Sequence, residues 1–414
     1  MLSKSENKEL TEVGPGTPAG LWLRRYWHPV AISDKWEGVK THWDFSESLT
    51  FQNQVGTVGS WADQLANFSG KPTAIRILGE DLVLFRDGEG NPGLLGKYCP
   101  HRGTSLEFGR VQKGGLSCCY HGWLFDIHGK CLSMPAEPED STFRDKVHHK
   151  AYPVQEMGGL LWAYMGGDKP PILPRFDVFA RTDGIRAVEN FGLWPANYFQ
   201  ICENSVDQAH TTILHGGKGG ERSDIWGSEI PQTTWETLEL GIKATANRPG
   251  LNYQRSSYYI LPTMVRLPQP WPKGEFKWPR YSANWRTPVD DHHTLVLSVC
   301  FTPEVDGKLP DLPEGSSFSV GDSLLVHREQ DYRAMVSQGP RFDRSTEKLG
   351  QSDEGVILLR KVILDAIRDV KKGIVPKGVI RGSDNREIID LEGIVADHID
   401  QSTLVEPRSV SPIH

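Results

Sequence analysis

Regular hydrophobic patterning is concentrated in a few stretches of this chain, and it predicts both strands and helices. RILGEDLVLFRDGEGNPGLL (76–95) reads as two strands around a turn at Asp87–Gly88. GGLLWAYMG (158–166) reads as a later strand, and together they outline a small antiparallel β unit from about residue 71 to 167. QRSSYYILPTMVRL (254–267) and HTLVLSVCFTP (293–303) alternate as strands of a second sheet. LGQSDEGVILLRKVILDAIRDVKK (349–372) has the 3.6-residue period of an amphipathic helix, with Ser352 as its expected N-cap. Between these, THWDFSESLTFQNQVGTVGSWADQLANFSG (41–70) is rich in Ser, Asn, Gln and Gly and reads as a long surface loop.

A chain of 414 residues exceeds one ordinary core, so two domains are expected. The net charge of −7 gives no support for nucleic-acid binding, which needs a basic face. MLSKSENKELTE has no apolar stretch of the kind a signal peptide needs, and no run is long enough to span a bilayer. The expectation is a cytoplasmic protein with reduced thiols. Three of its six cysteines fall within 21 residues, which points to metal rather than disulfides.

That cluster is Cys99-x-His101, sixteen residues, then Cys118-x-x-His121. Each short loop offers one thiolate and one imidazole. Such a pair suits a two-iron cluster in which one iron takes both cysteines and the other both histidines. A structural zinc site is the alternative. Cys119 would leave only one residue before His121, so Cys118 is the expected ligand, with Cys119 packed beside the cluster. Cys131, Cys202 and Cys300 read as small buried hydrophobes. His28 reads as a satisfied histidine, and His148, His149, His292 and His293 as solvated ones.

A second constellation lies in NYFQICENSVDQAHTTILHG (197–216). Asp207 and His210 are three apart and would share a helix face, whereas His215 requires the helix to bend or end. Two histidines need a carboxylate to complete a facial triad, and composition cannot select one. For Asp353 the residue-level reading is a first-turn acid favoured by the helix dipole.

C-P-H-R-G followed by C-x-Y-H-G-W-x-F-D resembles the Rieske 2Fe-2S domain of ring-hydroxylating oxygenases, with Cys119 where relatives have proline. E-N-x-x-D-x-x-H-x4-H and the later S-D-E-G-V-I-x-L-R resemble the catalytic domain of the phthalate 4,5-dioxygenase-like subgroup, which includes aryl O-demethylases and N-dealkylases. The likeness spans roughly 10–33 and 71–375. It implies an α+β fold: an N-terminal segment (1–70) packed on the catalytic domain, a Rieske domain (71–167), and a helix-grip catalytic domain (168–414) whose antiparallel sheet is covered by helices. It implies a cluster on Cys99, His101, Cys118 and His121, and a mononuclear Fe(II) on His210, His215 and Asp353. Asp207 is similar to the acid that links, across a subunit boundary, a cluster histidine to an iron-ligand histidine.

The implied activity is a terminal oxygenase that uses O2 and external electrons to monooxygenate a substituted aromatic compound with N- or O-dealkylation. Cis-dihydroxylation is the alternative, and a non-catalytic electron-transfer or structural metal protein a remote one. No nicotinamide or flavin fingerprint is present, so electrons would come from a separate flavin-dependent reductase, directly or through a ferredoxin. The implied assembly is a ring-shaped homotrimer. Tyr198, Phe199 and Cys202 are expected in the substrate pocket, while Arg222, Arg248 and Arg255 are available to an anionic substrate. Trp271, Trp278 and Trp285 read as structural packing.

Overall fold

The computed structural model describes residues 2–35, 38–42, 68–216, 229–267, 281–304, 307–308, 322–381 and 389. Residues 43–67 of the expected surface loop, Arg222, Trp271, Trp278 and the tail beyond Asn385 (Ile389 apart) lie outside them.

Two capped helices begin the chain. In α1 (Lys4–Thr11) the Ser3 hydroxyl accepts the Glu6 N–H at 3.2 Å and the Glu6 carboxylate accepts the Ser3 N–H at 2.9 Å, a closed capping box. α2 (Pro18–Leu23) starts from Thr17, with Pro18 in the first turn, where a missing N–H costs nothing. The N-terminal segment then divides its partners. β1 (Trp27–Ile32) pairs with β12 (Leu160–Tyr164), which also pairs with β11 (Val154–Met157). β2 (Val39–His42) instead runs parallel to β13 (Gly184–Trp194), at the edge of the large sheet.

Two four-stranded antiparallel sheets make up most of the small unit. One has the order β10 (Ala151–Tyr152), β5 (Pro92–Gly96), β4 (Glu80–Arg86), β3 (Thr73–Ile77). The other runs β6 (Arg110–Gln112), β7 (Gly115–Ser117), β8 (Leu124–Phe125), β9 (Cys131–Ser133). The 76–95 stretch thus contributes to three strands instead of two. A tight turn at Leu78–Gly79, both at positive φ, precedes the expected one. Val83, Phe85, Leu95, Leu116 and Phe125 form a compact core that also encloses Cys99 and Cys118.

Glu80 joins this unit to the N-terminal helices. Its carboxylate accepts Arg24 Nη2 at 2.9 Å, Tyr152 Oη at 2.8 Å and Lys150 Nζ at 2.6 Å, with the Arg24 and Glu80 side chains only 9% and 8% exposed. Burial works to raise the Glu80 pKa, but these donors outweigh it and hold it below the usual 4.5. A carboxyl depressed in the folded state stabilises above its unfolded pKa, and that contribution vanishes as pH falls through the folded value. Glu80→Ala should lower unfolding free energy by about 3 kcal/mol at neutral pH, because it strands a buried guanidinium. Urea denaturation at pH 7 and below pH 4 checks this: the gap between wild type and variant should narrow in acid.

The large sheet has eight strands, in the order β14 (Gln232–Thr237), β15 (Gly241–Arg248), β16 (Tyr253–Ile260), β17 (Met264–Leu267), β18 (Tyr281–Pro288), β19 (Thr294–Pro303), β13, β2. β18 and β19 are buried along their whole lengths, because both faces of the sheet are covered. On one face Ala283, Trp285, Leu297 and Val299 join the main core, where Trp285 meets Trp162 edge-on at 5.0 Å. α3 (Asp177–Ala180) packs on this side, with Phe179 against Trp285.

Helices α4 (Tyr198–Asn204), α5 (His210–Ile213) and α6 (Asp322–Val336) cover the other face. α7 (Glu354–Lys371) buries Val356, Leu359, Ile363, Ile367 and Val370 along one stripe. It approaches so closely that a Cβ on Gly355 would lie 2.1 Å from Trp235 Nε1. The helix begins at Glu354, one residue later than a Ser352 cap would place it. A 3-10 turn at Gln351–Asp353 precedes it instead.

Candidate metal centres

Two loops of matching backbone hold the first set of residues. Cys99 N–H donates to Thr104 O at 2.9 Å, and Gly103 N–H donates back to Cys99 O at 2.9 Å. Likewise, Cys118 N–H donates to Trp123 O at 2.9 Å and Gly122 N–H to Cys118 O at 3.0 Å. Each loop closes through a left-handed glycine, Gly103 at φ 75° and Gly122 at φ 74°, where a side chain would be strained. The match makes Cys118 the counterpart of Cys99 and Cys119 the counterpart of Pro100. Cys119 is exposed, contrary to its expected packing beside a cluster, because it occupies the outward-facing second position of its loop.

Donor atoms are sorted by kind in this arrangement. Both ligand-candidate thiols are buried at 3% exposure, side by side, while His101 is exposed and His121 half-exposed above them. The two imidazole centroids are 4.5 Å apart, and Trp123 stacks on His101 at 4.4 Å, 6° from parallel. Burial pushes the Cys99 thiol up to about 11, with the adjacent Cys118 adding to the rise. Paired thiols inside and paired imidazoles outside fit the donor set of a 2Fe-2S cluster with two histidines on one iron.

The second set converges from three separate elements. α4 ends at Asn204, the chain turns, and α5 begins at His210 and ends before His215. Asp207 therefore does not share a helix face with His210. It stands outside α5 and caps it, Oδ1 accepting the Ala209 and His210 N–H groups at 2.9 and 3.3 Å. Its Oδ2 lies 3.6 Å from His210 Nδ1. Burial works against charging either group, yet their mutual attraction lowers the Asp207 pKa and, with Asp331 adding its charge, raises that of His210.

α6 brings Asp331 to the two histidines, its Oδ1 3.3 Å from His215 Nε2 and 3.7 Å from His210 Nε2. Ligand atoms of His210, His215 and Asp331 all lie within 4.8 Å of one another, the donor set of a 2-His-1-carboxylate site. His215 Nδ1 is 2.9 Å from Gln330 Oε1, so it carries the proton there and leaves Nε2 as the lone-pair atom. Asn204 Nδ2 completes the rim, 3.3 Å from His210 Nε2 and 3.4 Å from Asp331 Oδ1.

Asp353 is not part of this group. Its carboxylate accepts Gly350 N–H at 2.7 Å at the head of α7, the first-turn role that its position alone suggested. The surrounding segment serves as scaffold. The fully buried Arg344 forks onto Glu203 at 2.7–3.0 Å, and Arg360 binds the same carboxylate at 2.7 Å, fastening the end of α4 beside Asn204.

Tyr198, Phe199 and Cys202 do not line the metal site either. All three are fully buried in the main core, with the Tyr198 hydroxyl donating to Leu10 O and Phe199 under Arg344 at 4.9 Å. They occupy faces of α4 that Asn204 does not share. Arg248 is buried beside Thr211 and Thr212 of α5, 3.0 and 3.4 Å from their hydroxyls. His28 is wholly buried with Nε2 2.8 Å from Leu23 O. His149 is buried against Gly96 O instead of solvated, because β5 and the Gly129 turn enclose it. Asp331, Asn204 and Gln330 were not singled out by any motif.

Residues 60–155 match the Rieske 2Fe-2S domain family. The chain is 31% identical over 421 residues to the 5,5'-dehydrodivanillate O-demethylase oxygenase subunit of Sphingobium sp., covering 98% of this chain and 90% of that one. It is 30% identical over 450 residues to the phthalate 4,5-dioxygenase oxygenase subunit of Pseudomonas putida, covering 97% and 94%. The fold resembles that of NdmA of Pseudomonas putida CBB5, solved with caffeine, at TM-score 0.66 and 20% identity over 89% of this chain and 99% of that one.

Proposed function

The chain belongs to the oxygenase components of the Rieske non-haem iron oxygenases, and from that premise we propose that it removes an alkyl group from a substituted aromatic compound by monooxygenation. The observation that carries the reading is the convergence of His210, His215 and Asp331 in a chain that also presents the paired cluster loops. Dealkylation is favoured by the likeness to an O-demethylase subunit along nearly the whole chain.

In this reading Cys99, His101, Cys118 and His121 hold the 2Fe-2S cluster, and His210, His215 and Asp331 hold one iron. When bound, the cluster relays single electrons and the iron activates dioxygen. The protein's part is orientation. Gln330 accepts the Nδ1 proton of His215, and the Asp207 carboxylate, 3.6 Å from His210 Nδ1, favours a proton on that nitrogen by charge, so both Nε2 atoms face Asp331. Three protein ligands leave further positions for oxygen and substrate. Gln330→Leu should weaken iron binding about 10- to 100-fold while leaving the cluster intact, which competition with a chelator measures.

A separate reductase, with or without a ferredoxin, supplies electrons in the cytoplasm. Among the described residues no hydrogen bond or ring contact joins the loops at 99–104 and 118–123 to the segment 204–215. His101 is exposed and the Asp207 side chain is 33% exposed, so both reach the surface. This supports a head-to-tail trimer in which one subunit's cluster loops face its neighbour's Asp207.

Oxygen uptake with a surrogate reductase, over phthalates, methoxybenzoates and N-alkyl anilides under labelled dioxygen, tests the reaction. Release of an aldehyde with one labelled atom used on substrate is expected. A ring diol with two labelled atoms would replace this reading by dioxygenation.

A further inference from the structure

The face of the large sheet beneath the iron-site helices carries a row of buried polar side chains. Strand register sets Tyr259, Val265, Asn284, Ser298 and Glu189 in one row across β16, β17, β18, β19 and β13. Tyr259 at one end meets the Cys202 thiol of α4. Ser257, on the same face, accepts a hydrogen bond from Gln208 Nε2 at 3.1 Å. Towards the other end Val296, also on this face, packs with Tyr332, the neighbour of Asp331. The middle of the row therefore lies between the segment carrying His210 and the helix carrying Asp331.

Asn284 and Ser298 occupy that middle at 3% and 0% exposure. The Cys300 thiol donates to Glu189 Oε2 at 3.2 Å and lies 3.7 Å from the Ser298 hydroxyl. Asn284 differs from these neighbours: its Oδ1 is buried and meets no donor among the described residues. Buried acceptors are nearly always satisfied, so an unmet one on the sheet face turned toward these helices needs an explanation.

We infer that Asn284 orients the substrate, its Oδ1 accepting a hydrogen bond from an O–H or N–H on the aromatic compound. The enzyme thus prefers substrates that carry such a donor beside the alkyl group it removes. This rests on the proposed dealkylation and narrows its substrate class. An analogue lacking the donor would expel water from Asn284 and leave the acceptor unpaired, which a site of this kind penalises strongly.

The test uses reconstituted holoenzyme with 4-hydroxy-3-methoxybenzoate and 3,4-dimethoxybenzoate, which differ in one phenolic O–H. Wild type should favour the hydroxylated ether by about tenfold or more in kcat/KM, with more product per O2 consumed. In Asn284→Leu the preference should shrink to about twofold or less, at unchanged cluster and iron content. Asn284→Asp, which keeps an acceptor there, should retain it. Equal use of the two ethers by wild type, or a preference that survives in Asn284→Leu, overturns the role of Asn284. Failure of iron-replete wild type to dealkylate either ether, or any N-alkyl anilide, overturns the proposed dealkylation and this inference with it.

Discussion

Asp331→Ala will purify with its 2Fe-2S cluster but almost no mononuclear iron, and product formation will fall about a thousandfold or more. Asp331 Oδ1 is the carboxylate oxygen within reach of both Nε2 atoms, at 3.3 and 3.7 Å. Without it two imidazoles remain, with no anion to offset the metal's charge. Asp353→Ala should keep its iron and most of its activity. It loses only the bond to Gly350 N–H and a favourable first-turn charge, about 1 kcal/mol of stability, visible as a lower Tm. Metal analysis, with the cluster's visible absorption as an internal standard, separates the two variants. Loss of iron from Asp353→Ala, with iron retained in Asp331→Ala, would return the ligand role to Asp353.

That pair of variants also marks where the sequence stops being informative. The cluster loops are legible because their ligands are local: each Cys–His pair spans at most four residues, and a left-handed glycine closes each turn. The strands of the large sheet are legible at 254–267 and 293–303 because β-branched and aromatic residues are dense in them, although β19 is buried throughout and its burial does not alternate. The carboxylate that meets the two histidines is a long-range event. Asp331 sits on a helix 116 residues beyond His215, with no spacing that ties it to the histidines.

The S-D-E-G-V stretch misleads for a physical reason. It heads the helix whose Arg360, with Arg344, clamps Glu203. Its likeness to relatives is then accounted for by scaffolding as readily as by ligation. Tyr198, Phe199 and Cys202 show the same limit on a smaller scale. Proximity in sequence to the histidines could not reveal that α4 ends at Asn204 and turns those side chains into the core.

Asp207→Asn and Cys118→Ser will each reduce product formation about a hundredfold or more in pure assemblies, and mixed assemblies of the two will recover activity. Asp207→Asn keeps an oxygen to cap α5, where Oδ1 now accepts from Ala209 N–H, but replaces the carboxylate facing His210 Nδ1 by a neutral amide. Cys118→Ser leaves the second constellation untouched and removes a buried thiol from the first. If each subunit served its own active site, every chain in the mixture would carry one defect and activity would stay low. In a head-to-tail ring, a Cys118→Ser subunit with intact Asp207 can lie next to an Asp207→Asn subunit with intact cluster loops. Random mixing at equal amounts makes that arrangement at about a quarter of all sites, and a three-membered ring holding both chains has it at one site in three, so isolated mixed rings should recover about a third of wild-type activity. Two affinity tags isolate rings containing both chains, and sedimentation confirms their assembly. Mixed rings that stay as inactive as the pure variants would place both halves of the reaction within one chain and remove the reason for the ring.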